Sequence, residues 1–561
     1  MKKIPYGLQN LEEILEGNYF YIDKTKYIEK LENLNEKYIM FLRPRKFGKT
    51  LWIDTIGKYY DVNYSDKFDK IFGDLYIGEN PTSGKSSYCV VKFNFSGLST
   101  ETKEILKNDF KLEVYNKLDN FIKKYKLNIN LDKSLKEPAN LLRDFKKQYE
   151  ELNNNRKIYI LIDEYDHFAN ELLGFKFNEF KNVVSKTGFV RKFYEVLKES
   201  TESIVDRIFM TGIAPITLDS ITSGFNIVSN ISIDKEFNEL TGFTEETVKK
   251  LLKMYEIPRE IITDMKFSYN GYLFNLNGNT KIYNTDMVLY FLKEYLKENK
   301  KPQKIIDVNI ASDYKKMENM MRLTPKSQEI IDEIIEKDGI TGELIDSFNM
   351  EREQKKDDAI TLLFYLGYLT IKEETFYGIK LGIPNYVMRK LFYESFMSYI
   401  DREYEVYAET SDINKAVGEL IREGNINPLL KLVEGVLGEL SNRDFMNFDE
   451  KHLKAIMMAY LVKSPWYYIE SEREVKKGYI DILVTRRYEK VPYDAIIELK
   501  YIKKSKWKDI SRNIDKIVEE GKEQLYKYLE DRKMSDRKNM KKFVILFVGD
   551  KLEKVVDCEE Y

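Results

Sequence analysis

A chain of 561 residues is too long for one ordinary core, so two to four domains are expected, and 91 Lys and Arg against 93 Asp and Glu leave a formal charge of −2, with no global basic field to recruit nucleic acid. Two cysteines, Cys89 and Cys558, and two histidines, His167 and His452, supply neither a disulfide framework nor a Cys-based zinc site, and they leave Ser-His-Asp hydrolysis and His-rich zinc chemistry poorly provided for, so chemistry falls to carboxylates, lysines and bound cations. The start has no apolar h-region and no run approaches membrane-spanning length, which suits a cytoplasmic protein with no membrane partner.

In chain order, YIMFL at 38–42 is a short apolar run of strand type, and LWIDTIGKYYD after Thr50 carries apolar residues at helical spacing. The stretch that joins them, FLRPRKFGKT, ends in the Gly-Lys-Thr of a phosphate-binding loop. Such a loop works only when a buried strand feeds it and a helix leaves it, aiming backbone N–H groups and the helix dipole at the phosphates. Here Gly48 lets the backbone approach the phosphate, Lys49 reaches the β- and γ-phosphates, and Thr50 ligates Mg²⁺. Arg43 stands where the usual pattern has its first glycine, at some cost in loop freedom. A second Gly-Lys-Ser, in ENPTSGKSS at 79–87, is excluded by its context: it follows a turn-like stretch with Pro81 and runs straight into YCVVKFNFSG, which alternates like a strand and offers no helix N-terminus.

Further along, KIYILIDEYDHF at 157–168 is an apolar strand ending in Asp163 and Glu164. That is where a parallel nucleotide-binding sheet needs one acid for Mg²⁺ and a second to polarise water. Charges at a strand end are common on solvated surfaces, so the pair alone is a modest signal. A third strand, RIFMTG at 207–212, ends in Thr211, placed to sense the γ-phosphate. Strand, loop, helix and two further strands with polar tips in this order point to a P-loop ATPase core with an acid following the magnesium aspartate.

The opening PYGLQNLEEILEGNYFYIDKTKYIEKLE, followed by FLRPRKFGKT, LIDEYD, MTGIAPITLDSITSGFNIVSNIS and LTGFTEE, resembles the bacterial predicted AAA-ATPase family, which usually carries a PD-(D/E)XK nuclease domain at its C-terminus. In that family the loop reads R-P-R-[RK]-F-G-K-[ST], so the resemblance makes Arg43 a family feature and Arg45 a further nucleotide-side cation. The ATPase domain is expected over 1–235, with a helical lid and linker over 236–320. SQEIIDEIIEKDGITGELI, DDAITLLFYLGYLTIK and IKLGIPNYVMRKLF then suggest helices followed by a small hairpin, a winged-helix-like module over 321–395 that either reads DNA or packs on the lid. A helical connector is expected over 396–445.

From 446 onward the coarse order is a helix (FDEKHLKAIMMAYLV), a strand (WYYIES), a hairpin (GYIDILVTRR and YDAIIELKYI), a long helix (DISRNIDKIVEEGKEQLYKYLEDR) and a final strand (KFVILFVGD). This order resembles the core of restriction-endonuclease-like enzymes. Asp481 falls on the first hairpin strand, and Glu498 and Lys500 fall on the next, where alternation places both on one face. Cleaving a phosphodiester requires a divalent metal on oxygen ligands and a group that orients hydroxide. Asp481 and Glu498 are the expected ligands and Lys500 the water-positioning group. Alternating Glu and Lys on a strand is also routine surface chemistry, but the apolar residues of AIIELK argue against a solvated strand. Glu450 on the preceding helix can complete the metal shell, and the resemblance makes Gln524, with Tyr528, the accessory glutamine of the superfamily. SEREVKKGYIDILV parallels the family pattern S-N-R-E...G-R-x-D with two departures, Glu472 for Asn and Tyr479 for Arg. Residues 486–542 are locally lysine-rich, as a phosphate-facing strip or a solvated helix face.

The expected fold is therefore α/β: a P-loop parallel sheet with a helical lid, a winged-helix-like middle region, and a restriction-endonuclease-like domain over 446–561. The expected activity is that of an ATP-binding or ATP-hydrolysing nuclease using Mg²⁺ or Mn²⁺ on DNA or RNA, with the ATPase domain regulating the nuclease and homo-oligomers completing the engine. The alternative is a switch-type regulatory ATPase whose nuclease-like domain only binds nucleic acid or protein.

Overall fold

The computed structural model describes residues 1–152, 156–167, 188–215, 225, 227–307, 327–345, 355–403, 408–439, 448–475, 478–507, 513–531, 534, 537 and 539–558. The segment 216–224 of the resemblance and the helix start expected at 509–512 lie outside these residues. The chain forms two compact units, the first built from Met1–Lys301 and Thr341–Pro384, the second from Asn385–Tyr561 with residues 302–307 and 327–340.

The first unit contains a five-stranded parallel sheet of β1 (Tyr38–Leu42), β2 (Cys89–Asn94), β3 (Ile158–Asp163), β4 (Val205–Gly212) and β5 (Ser229–Asn230), in the spatial order β2-β3-β4-β1-β5. Parallel strands are covered on both faces, so they read as unbroken apolar runs. IYILID is buried at all six positions, and YIMFL at its last four. The order has a chemical consequence. Because β4 lies between β1 and β3, the tip of β4 stands between the loop that follows β1 and the acids that end β3. α1 (Lys49–Tyr60) leaves that loop directly. Around the rejected Gly-Lys-Ser, residues 80–88 form turns that lead into β2, as its context implied.

The lid region supplies helices Glu245–Met254, Ile261–Tyr269 and Thr285–Glu298. Further on, the helix Lys356–Tyr365 precedes an antiparallel hairpin of β6 (Thr370–Thr375) and β7 (Gly378–Gly382). The helix Ser327–Lys337 belongs to the second unit, so the stretch 321–395 is divided between the two units.

The second unit holds a mixed sheet of β8 (Tyr467–Val475), β9 (Gly478–Arg486), β10 (Asp494–Ile502), β11 (Met540–Val548) and β12 (Lys551–Asp557), in the order β12-β11-β10-β9-β8. β10 and β11 run parallel and the other pairs antiparallel. The parallel step needs a crossover, and α3 (Ile514–Leu529) lies within it, burying Val518, Leu525 and Tyr528. α2 (Glu450–Leu461) precedes β8. The observed order is the expected one with one strand added, β12, an edge strand with no fully buried residue.

Gly212, at the tip of β4, tests how tightly the first sheet is closed at its business end. A Cβ there would stand 2.5 Å from Asp166 Oδ1 and from the Tyr165 ring. Both neighbours are buried, so the overlap cannot be relieved by rotation into solvent. Gly212→Ala is expected to destabilise this unit by about 2 kcal/mol, read as a lowered midpoint in denaturant titration; an unchanged midpoint would mean that the strand tip is loosely packed.

Candidate functional site

The loop after β1 enters its turn through Arg43, and the structure gives the loss of loop freedom there a physical form. Arg43 is 0% exposed and pins the loop. Its guanidinium donates to the carbonyls of Leu42 (2.8 Å), Ser232 (2.6 Å) and Phe237 (3.0 Å) and lies between the rings of Phe41 and Phe274, 4.3 and 4.2 Å from their centroids. Burial pushes its pKa down to about 9. The main chain of the same residue faces the other way: its N–H donates to Gly212 O at 3.3 Å, and its carbonyl accepts from Lys49 Nζ at 2.8 Å.

Beyond Arg43, the loop turns through two left-handed residues, Lys46 (φ 68°) and Gly48 (φ 93°). A Cβ on Gly48 would meet nothing within 4 Å, so backbone conformation demands the glycine and open space lies beside it. Donors from the lid region take up the loop's carbonyls: Asn284 Nδ2 to Arg45 O (3.1 Å), Asp286 N to Lys46 O (3.3 Å) and Gly242 N to Phe47 O (3.1 Å). Lys49 and Thr50 open α1. Lys49 is 7% exposed and also donates to Pro44 O at 3.0 Å. Burial pushes its pKa down to about 8, against the opposing pull of Glu164, Asp166 and Asp163.

Across the sheet, Asp163 is 0% exposed. One of its oxygens accepts from Thr211 Oγ1 at 2.8 Å; the other, Oδ2, is buried with no hydrogen-bond partner, and Lys92 Nζ stands off at 3.9 Å. A buried carboxylate oxygen left so is costly unless a cation completes it, and this residue thus fits a divalent ion. Glu164 follows in a left-handed conformation (φ 52°) beside His167, whose Nδ1 lies 3.3 Å from its carboxylate. Burial raises the Glu164 pKa, but the His167 hydrogen bond and the Lys49 and Arg45 charges outweigh it and leave the group below its ordinary value. Asp166, which the sequence did not single out, accepts from the N–H groups of Ile213 and Ala214 and ties the end of β3 to the end of β4. The structure thus brings Lys49, Asp163, Glu164 and Thr211 together and adds Lys92 and Asp166.

In the second unit, Ile482 pairs with Ile497, which places Asp481 opposite Glu498 on the neighbouring strand. Asp481 accepts from Leu499 N at 2.8 Å. Glu498 is 1% exposed; its Oε1 lies 2.7 Å from Lys500 Nζ, while Oε2 is buried without a hydrogen-bond partner. Lys500 reaches on to Gln524 Oε1 at 3.4 Å, and Gln524 Nε2 donates to Tyr528 OH at 2.6 Å. Burial first and the Asp481 charge second push the Glu498 carboxyl up to about 8, against the pull of Lys500. Burial also raises Asp481. Lys500, against its own burial, is held above its ordinary value by Glu498, Glu450 and Asp481.

Glu450 sits on α2 with Oε2 accepting from Tyr501 N at 3.2 Å, and burial and the Asp481 charge raise it. Among the described residues no three His, Cys, Asp or Glu side chains are grouped closely enough to hold an ion as they stand. The Asp481–Glu498 pair, with its unpartnered oxygen, is the arrangement that fits one. Of the two departures from the family pattern, Glu472 is absorbed by an ion pair with Lys454, and Tyr479 is 55% exposed. His452 is structural: Nδ1 pairs with Asp449 at 2.8 Å and Nε2 faces Asp332 at 3.4 Å. Among the described residues no helix is long and apolar enough to cross a membrane.

Comparison with known proteins finds a match over each of the two regions. The family model described as "Predicted AAA-ATPase" matches residues 5–222, and that of the PD-(D/E)XK nuclease superfamily matches residues 448–556. A relative from Azotobacter chroococcum mcd 1, described as an uncharacterized protein in the vnfD 5′ region, is 24% identical over 425 residues, covering 73% of this chain and 73% of that one.

Two measurements test this geometry. Arg43→Gly would recreate the glycine-first loop, yet it strips buried carbonyls of their donor and opens a hole between two rings, so we expect a loss of about 3 kcal/mol and weaker, not tighter, binding of a fluorescent ATP analogue. Binding at wild-type strength would show the guanidinium to be dispensable. In metal-free protein, Glu498 keeps a proton in the folded state that the unfolded chain releases near its ordinary value of 4.5. Its contribution to stability therefore falls as pH rises from there to about 8. Glu498→Gln in a chelator is expected to flatten the fall of melting temperature across that window; an unchanged profile would mean that the carboxylate is already ionised in the fold.

Proposed function

From a chain that joins an AAA-ATPase-like domain to a PD-(D/E)XK nuclease superfamily domain, we propose an ATP-dependent, divalent-metal-dependent nuclease that hydrolyses phosphodiester bonds of DNA, with nucleotide occupancy of the first domain controlling the second. The observation that carries this reading is Glu498: a nearly fully buried carboxylate opposite Asp481, with one oxygen on Lys500 and the other on nothing.

Asp481 and Glu498 would hold a divalent ion, which when bound would supply positive charge to the phosphoryl oxygens. The chain's own residues do the rest. Lys500, held protonated by the surrounding acids, orients the attacking water and counters its developing negative charge. Gln524 fixes the ammonium laterally, and the Gln524–Tyr528 hydrogen bond in turn fixes the amide. Water then adds in line at phosphorus while the bond to the leaving sugar oxygen breaks, and the water's proton passes to solvent or to that oxygen.

In the first domain, Lys49 would leave the carbonyls of Arg43 and Pro44 for the β- and γ-phosphates, Thr50 and Asp163 would hold Mg²⁺, Thr211 keeps the Asp163 carboxylate in place, and Glu164 would orient water. Arg45 adds a cation on the nucleotide side. Support for turnover in addition to binding comes from Glu164, whose carboxyl is kept ionised by His167 and Lys49.

A plasmid-nicking assay with Mg²⁺ or Mn²⁺, with and without ATP, tests both halves. Lys500→Ala and Asp481→Ala are each expected to lower the cleavage rate at least about 100-fold, while Lys49→Ala abolishes the ATP dependence. Undiminished cutting by the Asp481 variant would remove the nuclease assignment. ATP-dependent association with DNA and no scission by any variant would make the second domain a binding platform.

A further inference from the structure

Lys454 and Glu472 flank the Asp481–Glu498 pair without a part in the chemistry above. Lys454 lies one turn beyond Glu450 on α2, is 6% exposed, and bonds through Nζ to Glu472 Oε1. Glu472 in turn stands opposite Asp481 on the neighbouring strand, because Ile480 pairs with Arg473 and Ile482 with Ser471. It holds this place at φ 50°, a left-handed conformation that a non-glycine residue keeps only where its contacts over-determine it.

The electrostatics follow the geometry. The Lys454 ammonium acts on Asp481 more strongly than Lys500 does, and Asp481 in return helps to hold Lys454 protonated. With Lys454 buried and Glu472 only partly so, the ion pair is a poor device for stability, since desolvating the ammonium offsets much of what the pairing returns. Beside two acids suited to a cation, however, each member has a defined effect on that cation: Lys454 repels it and Glu472 attracts it. With both present the two effects largely cancel.

We propose that Lys454 and Glu472 form a charge-setting pair that fixes the divalent-cation affinity of the nuclease centre, Lys454 weakening it and Glu472 restoring it. Both are positioning residues: neither is required to touch the scissile phosphate. This inference rests on the nuclease reading of the second domain. It predicts effects of opposite sign from two halves of one ion pair, which a structural brace does not produce.

The test is Mn²⁺ titration of the full chain at pH 8 without nucleotide, followed by the electron paramagnetic resonance signal of free Mn²⁺, with Asp481→Asn identifying the binding that belongs to this centre. Lys454→Gln is expected to tighten binding by about 5- to 10-fold, Glu472→Gln to weaken it by a similar factor, and the double variant to return within about twofold of wild type. Lys454→Met stands in if the glutamine variant does not fold, as judged by metal-free melting. If both single variants move the affinity in the same direction, or neither moves it, the pair is a brace and the inference is wrong. If the wild-type chain shows no Asp481-dependent Mn²⁺ binding, the nuclease reading itself fails and the inference falls with it.

Discussion

A buried carboxylate oxygen with no donor to pair with it is the constraint on which both halves of this protein turn. Asp163 Oδ2 and Glu498 Oε2 share that condition, and the desolvation involved far exceeds what an ordinary hydrogen bond returns. The two surroundings meet it differently. Asp163 is held by the Thr211 hydroxyl and faced by Lys92 from a distance too long for a hydrogen bond. Glu498 is pushed toward its protonated form instead, by burial and by the opposing Asp481. Each solution leaves an oxygen whose surroundings fit a cation.

Arg43 shows how a departure from a familiar loop can be structural rather than degenerative. A glycine at that place would give the loop freedom; the arginine removes it and uses the same residue three ways. Its guanidinium holds the carbonyls of Ser232 and Phe237, its N–H meets the end of β4, and its carbonyl receives Lys49. The cost is a buried cation, spread over two aromatic faces and three carbonyls. What it returns is a loop whose entry is fixed to the strand bearing Thr211.

Lysines stand beside the acids of both sites in a chain with two histidines. Lys49 and Lys92 face Asp163, and Lys454 and Lys500 face Asp481 and Glu498; burial and charge move Lys49 one way and Lys454 and Lys500 the other. Lys49, where desolvation dominates, is pushed down to about 8. At Lys500 and Lys454 the neighbouring carboxylates dominate, and the groups stay above their ordinary value.

What was legible in the sequence was local in origin. The runs YIMFL and IYILID, the helix after Thr50 and the alternation in AIIELK are set by pleat and helix periodicity, so the strands, α1, and the placement of Glu498 with Lys500 could be read directly. The edge strand β12 could not, because a strand solvated on both sides of its alternation carries little apolar signal. Lys92 and Lys454 were visible only as isolated charges in apolar runs, with nothing to say which acid they would meet. The sequence by itself determined the elements and the residue types at their tips, since those depend on neighbours two to four positions away. The tertiary structure alone decided that β4 would lie between β1 and β3, that Arg43 would turn inward, and that Glu472 would face Asp481. Those pairings depend on strand register and on packing between segments far apart in the chain, and no local period encodes them.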